Sequence, residues 1–323
     1  MEIYQIMKLK KLISSAMLLV AAIIWGFAFV AQDSASNVPA FTLGMARSYV
    51  ATAFLLIIII VFDKVKNTGR RLVSRKGIDF TRTELVGGVI CGIFLTAASA
   101  FQQIGINSGT DGGKAAFITA MYVVLVPIYS LFLGKKAPIN IWFSVGIAAV
   151  GFYLLCIGND LSVQLSDMLV VCAALLFPLH ILTIDRFSPK CDGVRMSAIQ
   201  FLTAGILNTI LSLIFESPVS LESVANNIGA VLFLGIGSSG IAYTLQILGQ
   251  NGVNPSAASI LLSLESVFGV IGVAIILHKT LITREYIGCL VVFIAVILSQ
   301  IDFKAIRNKK IENKGLQNGE KTQ

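Results

Sequence analysis

The chain has 323 residues, of which 56% are hydrophobic and only 13% are charged. Soluble proteins carry about 25% charged residues, so this composition excludes a soluble globular domain and indicates an integral membrane protein. The formal net charge of +8 does not indicate a nucleic-acid partner, because the basic residues lie between apolar runs and at the two termini instead of along one face.

Ten apolar runs follow one another along the chain, each close to the roughly 20 residues that a helix needs to cross the hydrocarbon. Backbone groups in lipid must be satisfied within the segment, so the runs predict an all-α membrane protein with ten transmembrane helices. The first run is longer than the roughly 7–15 apolar residues of a secretion signal, and we interpret it as a retained helix. The predicted spans are Ile13–Ala31, Pro39–Phe62, Leu85–Ile104, Gly113–Leu133, Ile139–Ile157, Leu165–Ile184, Met196–Phe215, Ile228–Leu248, Pro255–Leu277 and Tyr286–Ile301.

The basic residues predict the orientation of these spans. If the spans alternate in direction, 21 of the 25 Lys and Arg residues fall on the side that holds both termini. Cytoplasmic loops carry the excess of Lys and Arg, so we expect the short tail 1–12 and the basic tail 302–323 to lie in the cytoplasm. We expect the protein itself to lie in the cell membrane.

A polar pattern recurs within the apolar sequence and divides the chain into two halves. The pattern Gln-x-x-Gly-x-Asn begins at Gln102 and again at Gln246, 144 residues later. A fixed internal period indicates a repeated structural unit. Five crossings in each half make the second copy enter the membrane from the opposite side, which predicts two inverted five-helix units, residues 13–157 and 165–301, with a substrate site between them.

Several short motifs carry a family resemblance. They are Trp25-Gly26 in the first predicted helix, Arg47 in the second, Ala115-Ala116 at the start of the fourth, and the connections Lys135–Gly146 and Lys279–Gly288. Over residues 13–301 the chain resembles the EamA-type branch of the drug/metabolite transporter superfamily. The resemblance implies a central cavity lined by helices one to four and six to nine, with helices five and ten at the periphery. It also implies export of amino acids or other small metabolites, as in many members.

Two charged residues lie deep within predicted spans, where a charge costs about 2.5–3.5 kcal/mol on insertion scales. Arg47 lies in the second span. It is either structural, bonded to backbone carbonyls or to a loop carboxylate, or a cavity cation for an anionic or carboxylate-bearing substrate. Glu265 lies in the middle of the ninth span. It is a candidate for proton coupling, for a fixed partner of Arg47, or for a polar wall of the cavity.

Other polar and aromatic residues complete the set of candidate substrate contacts. When the halves are aligned, Arg47 falls on Gln200 and Tyr122 falls near Glu265. His180, near the end of the sixth span, is either a titrating residue of the transport path or an interfacial histidine. Two amides and two aromatic residues are the remaining candidates: Gln102, Gln246, Trp25 and Tyr243. The amides either contact substrate or form hydrogen bonds between membrane helices, and the aromatic rings either line the cavity or pack against other helices.

These features predict a secondary transporter, in the export direction, for an amino acid-like or drug-like metabolite, with protons as the candidate coupling ion. An uncoupled facilitator is the alternative. Ser239, within Gly237–Gly240, suggests an intramembrane serine protease, but small residues pack membrane helices in the same way. Two histidines and five cysteines without a CxxC pair indicate no metal site, and no phosphate-binding loop indicates a nucleotide. We therefore expect no cofactor.

Overall fold

The computed structural model describes residues 2–64, 79–135, 137–156, 164–216, 220–276 and 283–300, and these form helices joined by short turns. The predicted tail 302–323 and the predicted span residues Ile157, Leu277 and Ile301, together with Lys279, lie outside the described residues. In chain order the α-helices are α1 (Glu2–Ser34), α2 (Ala40–Lys64), α3 (Arg82–Asn107), α4 (Gly112–Ala120), α5 (Tyr122–Phe132), α6 (Ile139–Cys156), α7 (Leu165–Phe187), α8 (Gly193–Phe215), α9 (Leu221–Asn226), α10 (Ile228–Leu232), α11 (Tyr243–Gln250), α12 (Pro255–Leu262), α13 (Leu264–Ile276) and α14 (Thr283–Gln300).

The described helices confirm an all-α, multi-pass membrane protein. Eight helical segments are long and apolar enough to cross a membrane, and two shorter apolar helices, Ile139–Gly151 and Tyr286–Ser299, lie in the fifth and tenth predicted spans. Large apolar side chains such as Phe143, Ile206 and Leu290 are exposed on the outside of the bundle. Lipid tails are the environment that such an apolar exterior fits.

Several helices begin before the apolar run that predicted them. α1 begins at Glu2 instead of Ile13, because the apolar run marks only the part of a helix that lies in hydrocarbon. At about 1.5 Å per residue, its 33 residues are longer than the roughly 30 Å hydrocarbon core. α3 begins at Arg82, where Thr81 and Glu84 form a capping box. α8 begins at Gly193, where Asp192 caps the first turn.

Three of the predicted spans are not continuous α-helices. The fourth span is divided at Met121 into α4 and α5, and the ninth is divided at Ser263 into α12 and α13. In the eighth span a π-helix, Phe233–Ala242, separates α10 from α11. π-Helical segments inside α-helices are frequent at functional sites, and broken helices surround the substrate sites of many transporters.

Helices in the bundle approach closely where one of them has a glycine. α1 packs on α13, α3 packs on α7 and α8, and α2 packs on α8 and the π-helix. A Cβ on Gly26 would lie 2.4 Å from Phe268 Cβ, and one on Gly235 would lie 2.5 Å from Val50 Cγ1. Small residues at helix crossings are the usual means by which membrane helices reach van der Waals contact.

Polar contacts join the helices at both ends of the bundle. We call the end with the α1–α2 turn the Asn37 end and the opposite end the Lys190 end. At the Asn37 end, the carboxylate of Glu216 accepts hydrogen bonds from the backbone N–H groups of Phe41 and Thr42, at 2.8 and 2.7 Å. At the Lys190 end, Lys135 and Asp185 join α5 to α7.

Two buried glutamines in equivalent surroundings differ in their hydrogen bonds. Gln103, near the Asn37 end, donates to Asn107 Oδ1 at 2.8 Å and to the carbonyl of Gln32 at 3.4 Å. Gln250, near the Lys190 end, has no hydrogen-bond partner for either its amide oxygen or its amide nitrogen. Both side chains are 3% exposed, so the difference lies in their partners and not in their burial.

We expect Gly26→Ala to lower the melting temperature of the purified protein. The added Cβ would force α1 away from α13, and overpacking of this kind costs about 1–3 kcal/mol. Gly146→Ala is the matched control, because no heavy atom lies within 4 Å of a Cβ at that position. Equal melting temperatures for the two variants would contradict the close α1–α13 contact.

We expect Gln250→Met to raise the melting temperature and Gln103→Met to lower it. An unsatisfied buried polar group destabilises the folded state by about 1–3 kcal/mol, and methionine removes that penalty at Gln250 while it fills a similar volume. At Gln103 the same change removes two hydrogen bonds and leaves Asn107 Oδ1 without its donor. Shifts of the same sign in both variants would be evidence against this explanation.

Candidate substrate cavity

A cavity with an empty volume of about 480 Å³ lies among the middle portions of α1, α2, α7 and the three discontinuous spans, and α3 contributes Gln102 from nearer the Asn37 end. Its walls combine aromatic rings with charged and amide side chains, as in small-molecule sites generally. The lining residues are Trp25, Ala28, Phe29, Gln32, Arg47, Gln102, Thr119, Tyr122, Phe177, His180, Ile181, Ser238, Tyr243, Gln246, Leu262 and Glu265.

The cavity brings together eight of the nine candidate residues from the sequence. These are Trp25, Arg47, Gln102, Tyr122, His180, Tyr243, Gln246 and Glu265. The ninth, Gln200, lies behind the wall and contacts His180. Their polar groups lie in apolar runs far apart in the chain, and the bundle collects them because each is more favourable at an internal cavity than in lipid.

Arg47 is buried in the cavity wall, and no carboxylate among the described residues pairs with it. Its Nε donates to Ser239 Oγ at 3.2 Å, and its Nη1 donates to Gln32 Oε1 at 3.4 Å. Both acceptors are neutral, so the positive charge of the guanidinium is not balanced by an ion pair. Ser239 has a structural partner here, and its hydroxyl is part of the arginine site.

Glu265 lies in the first turn of α13, directly after the break at Ser263. Its side chain is 5% exposed, and its Oε1 has no hydrogen-bond partner. The hydroxyl of Tyr122, at the start of α5, lies close to this carboxyl group. The two broken spans thus contribute facing residues, Tyr122 from one and Glu265 from the other.

The structure does not pair Arg47 with Glu265. Neither residue forms an ion pair with any residue that the structure describes, and Tyr243 lies close enough to interact electrostatically with both groups. The cavity therefore has a guanidinium group and a carboxyl group at separate positions. Glu265 is therefore not a fixed partner of Arg47 in this structure, although both residues line the same cavity.

Aromatic rings form a cluster around Tyr243. Its ring centroid is 4.6 Å from that of Trp25, 5.4 Å from Phe201 and 5.6 Å from His180. The indole nitrogen of Trp25 donates to the carbonyl of Ser238 in the π-helix, at 3.3 Å. Trp25 and Tyr243 therefore have both roles, because their rings line the cavity and also pack against neighbouring rings.

His180 is a buried residue of the cavity wall. It is not at the membrane interface, which was one of its two predicted positions. The side chain is 1% exposed, because α7 turns this position towards Tyr243 and α8. Its Nε2 lies 2.9 Å from Gln200 Oε1. With the Gln200 amide in this orientation its oxygen accepts from Nε2–H, and in that tautomer Nδ1, which has no hydrogen-bond partner among the described residues, can accept a hydrogen bond.

The repeated glutamines differ in their bonding. Gln102 Nε2 donates to Thr119 Oγ1 at 2.8 Å, which joins α3 to α4. Gln246 Oε1 has no partner and is buried against the cavity. The interhelical role therefore applies to Gln102, whereas Gln246 has a free acceptor for a ligand.

Gln32, Phe29 and Phe177 line the cavity although they were not among the predicted site residues. Gln32 and Phe29 lie on the same face of α1 as Trp25, at spacings of seven and four residues. Residues at such spacings share one helix face. That periodicity from Trp25 was the signal that could have identified both. Phe177 corresponds in the repeat to Trp25, but its apolar ring in an apolar run carries no comparable signal.

A smaller pocket of about 210 Å³ lies on the other side of Arg47, between α2, α3 and α8. It includes Gly44, Ser99, Gln103 and Asn208, and it extends from Arg47 towards the start of α2. Arg47 is therefore accessible from two internal spaces. Among the described residues, no group of three His, Cys, Asp or Glu side chains has the arrangement of a metal site.

Comparisons with known proteins agree with this architecture. The pattern of the EamA-like transporter family matches the chain twice, over residues 12–157 and 164–300. An uncharacterized transporter of Archaeoglobus fulgidus is 26% identical over 294 residues, which cover 90% of this chain and 86% of that protein. The uncharacterized transporter YoaV of Bacillus subtilis is 20% identical over 290 residues, which cover 87% of this chain and 94% of that protein.

A solved crystal structure has the same fold. It superposes with a TM-score of 0.69 at 16% sequence identity, and the match covers 89% of this chain and 96% of the other. The family pattern extends over nearly the whole sequence and includes every residue of the cavity. The chain therefore belongs to the EamA-like transporter family and is a multi-pass membrane transporter.

Proposed function

We propose that the protein is a secondary transporter that exports a small organic metabolite, amino acid-like or drug-like, by alternating access to the central cavity. The observation that carries the proposal is the cavity itself: Arg47 and Glu265 line one internal cavity and are not paired with each other. Buried charges without partners are costly, and a ligand with complementary groups would relieve that cost.

We propose that ten transmembrane helices form two inverted five-helix repeats. The two separate family matches support this division, as do the breaks in the fourth and ninth spans, which occupy equivalent places in the two halves. In such an arrangement the two units rock about a site at the midplane, and the site opens to one side at a time.

The polar contacts at the two ends of the bundle are suited to act as gates. At the Asn37 end, Lys114 Nζ lies 2.6 Å from the buried Asp167, which ties α4 to α7. Asn107 Nδ2 donates to the carbonyl of Val38 at 2.9 Å, which ties α3 to the α1–α2 turn. Opening at that end requires some of these bonds to break, and exposed groups can then bond to water.

An uncoupled facilitator is the alternative function. Glu265 and His180 are the candidate residues for proton coupling, and wild-type protein in liposomes separates the two possibilities. Proton-coupled transport responds to an imposed pH gradient, whereas a facilitator equilibrates its substrate without regard to that gradient. The intramembrane protease hypothesis finds no support, since Ser239 bonds to Arg47 and the relatives are named transporters.

We expect single cysteines at the two ends of the bundle to differ in accessibility, since the distribution of Lys and Arg predicts a cytoplasmic Lys190 end. In a variant without the five native cysteines, Asn37→Cys should react with an impermeant maleimide in intact cells. Lys190→Cys should react only after permeabilisation. Both positions are exposed, so the reverse pattern would contradict the proposed orientation.

We expect Arg47→Ala to abolish export. Metabolite profiles of cells with the wild-type protein should show depletion of at least one small organic compound relative to cells without it. Arg47→Ala, at equal abundance in the membrane, should match the empty cells because the cavity has lost its cation. Arg186→Gln is the control, since this exposed arginine near the Lys190 end lies outside the cavity. Normal export by a well-expressed Arg47→Ala protein would refute the assignment.

A further inference from the structure

The buried polar atoms of the cavity are unequally divided between donors and acceptors. Three acceptors have no hydrogen-bond partner: Glu265 Oε1, Gln246 Oε1 and His180 Nδ1. The donors of the cavity are already used in part, since Arg47 donates to Ser239 and Gln32, and the Trp25 indole donates to Ser238. A ligand that satisfies these three acceptors must itself contribute N–H or O–H donors.

The carboxyl group of Glu265 indicates which charge the ligand carries. An ionised carboxylate accepts hydrogen bonds only, and its burial is strongly unfavourable unless a positive charge lies beside it, so a cationic ligand would favour the ionised form of Glu265. The neighbouring Tyr122 hydroxyl is also without a hydrogen-bond partner. A protonated amine has up to three N–H donors and a positive charge, so it can bond to Glu265 and to a second acceptor at the same time.

The aromatic cluster favours the same charge. Trp25 and Tyr243 lie with their ring centroids 4.6 Å apart on the cavity wall, and Phe177 lines the same space. The faces of aromatic rings attract cations, Trp most strongly. These rings also provide apolar contact for the part of the ligand that carries the amine.

We propose that Glu265, Gln246 and His180 form an ammonium subsite, separate from Arg47, so that the transported compound carries a protonated primary or secondary amine next to an aromatic or apolar group. This inference rests on the proposed function, and it specifies the chemistry that the cavity selects. A carboxylate on the same compound would be bound by Arg47 across the cavity.

Three probes of similar shape test the subsite by calorimetric titration of the purified protein. They are 2-phenylethylamine, 2-phenylethanol and 3-phenylpropionate, which present a cation, a neutral hydroxyl and an anion on the same aromatic ring. We expect wild-type protein to bind the amine at least tenfold more tightly than the alcohol. Failure of the amine to bind, or equal affinity for amine and alcohol, would overturn the proposal.

Glu265→Gln should weaken amine binding at least tenfold and change alcohol binding less than threefold, because the amide keeps the shape but not the charge. Arg47→Gln should weaken binding of the propionate and leave the amine unaffected. Asp111→Asn is the matched control for loss of a carboxylate. This residue is exposed, caps α4 outside the cavity, and is replaced by an equally good capping residue, so all affinities should stay the same.

Unchanged amine affinity in a folded Glu265→Gln protein would overturn the proposal and leave Glu265 as a proton site or a polar wall. If that variant does not fold, Gln246→Leu provides the test, and it should weaken amine binding at least threefold. These titrations do not depend on transport. Failure of the subsite therefore appears as lost selectivity for the amine, whereas failure of the proposed function appears as absent export by the wild-type protein.

Discussion

The rest of the cavity depends on how the charge of Arg47 is held within the membrane. A guanidinium cannot lose its proton under physiological conditions, so the protein must supply oxygen acceptors at that depth. It does so with Ser239 from the π-helix and Gln32 from α1, which fixes α2 against both elements. Because these acceptors are neutral, the positive charge is satisfied in its hydrogen bonds but not neutralised, and it stays available to a ligand.

Discontinuous helices allow a second charge to lie at a similar depth. The breaks at Met121 and Ser263 place Tyr122 and Glu265 in the first turns of new helices, where the positive end of the helix dipole favours a carboxylate. The aromatic cluster around Tyr243 then occupies the space between the two charges. The result is a cavity with a donor region, an acceptor region and an apolar wall, which is the arrangement that an amphipathic metabolite requires.

Two kinds of contact stabilise this arrangement: close glycine contacts between helices and polar hydrogen bonds at the helix ends. Glycines such as Gly26 and Gly235 bring helices together within the membrane, where apolar side chains gain nothing by leaving lipid and van der Waals contact must supply the attraction. Capping bonds such as those of Glu216 lie at the bundle ends, where water can replace them. The glycine contacts within the membrane are dry, whereas the polar groups at the bundle ends can exchange a protein partner for water.

The sequence by itself determined the class of protein, the positions of the apolar helices and half of the residues that line the cavity, because a polar residue within an apolar run is costly and must lie inside the bundle. The family assignment made from Trp25-Gly26, Arg47 and the repeat was confirmed. Only the tertiary structure decided which groups meet: that Arg47 bonds to Ser239 and not to Glu265, that His180 is buried against Gln200, and where the spans break. The physical reason is that a helix apolar on all sides has no periodic pattern to reveal its rotation, so its partners are set by packing with helices distant in the chain.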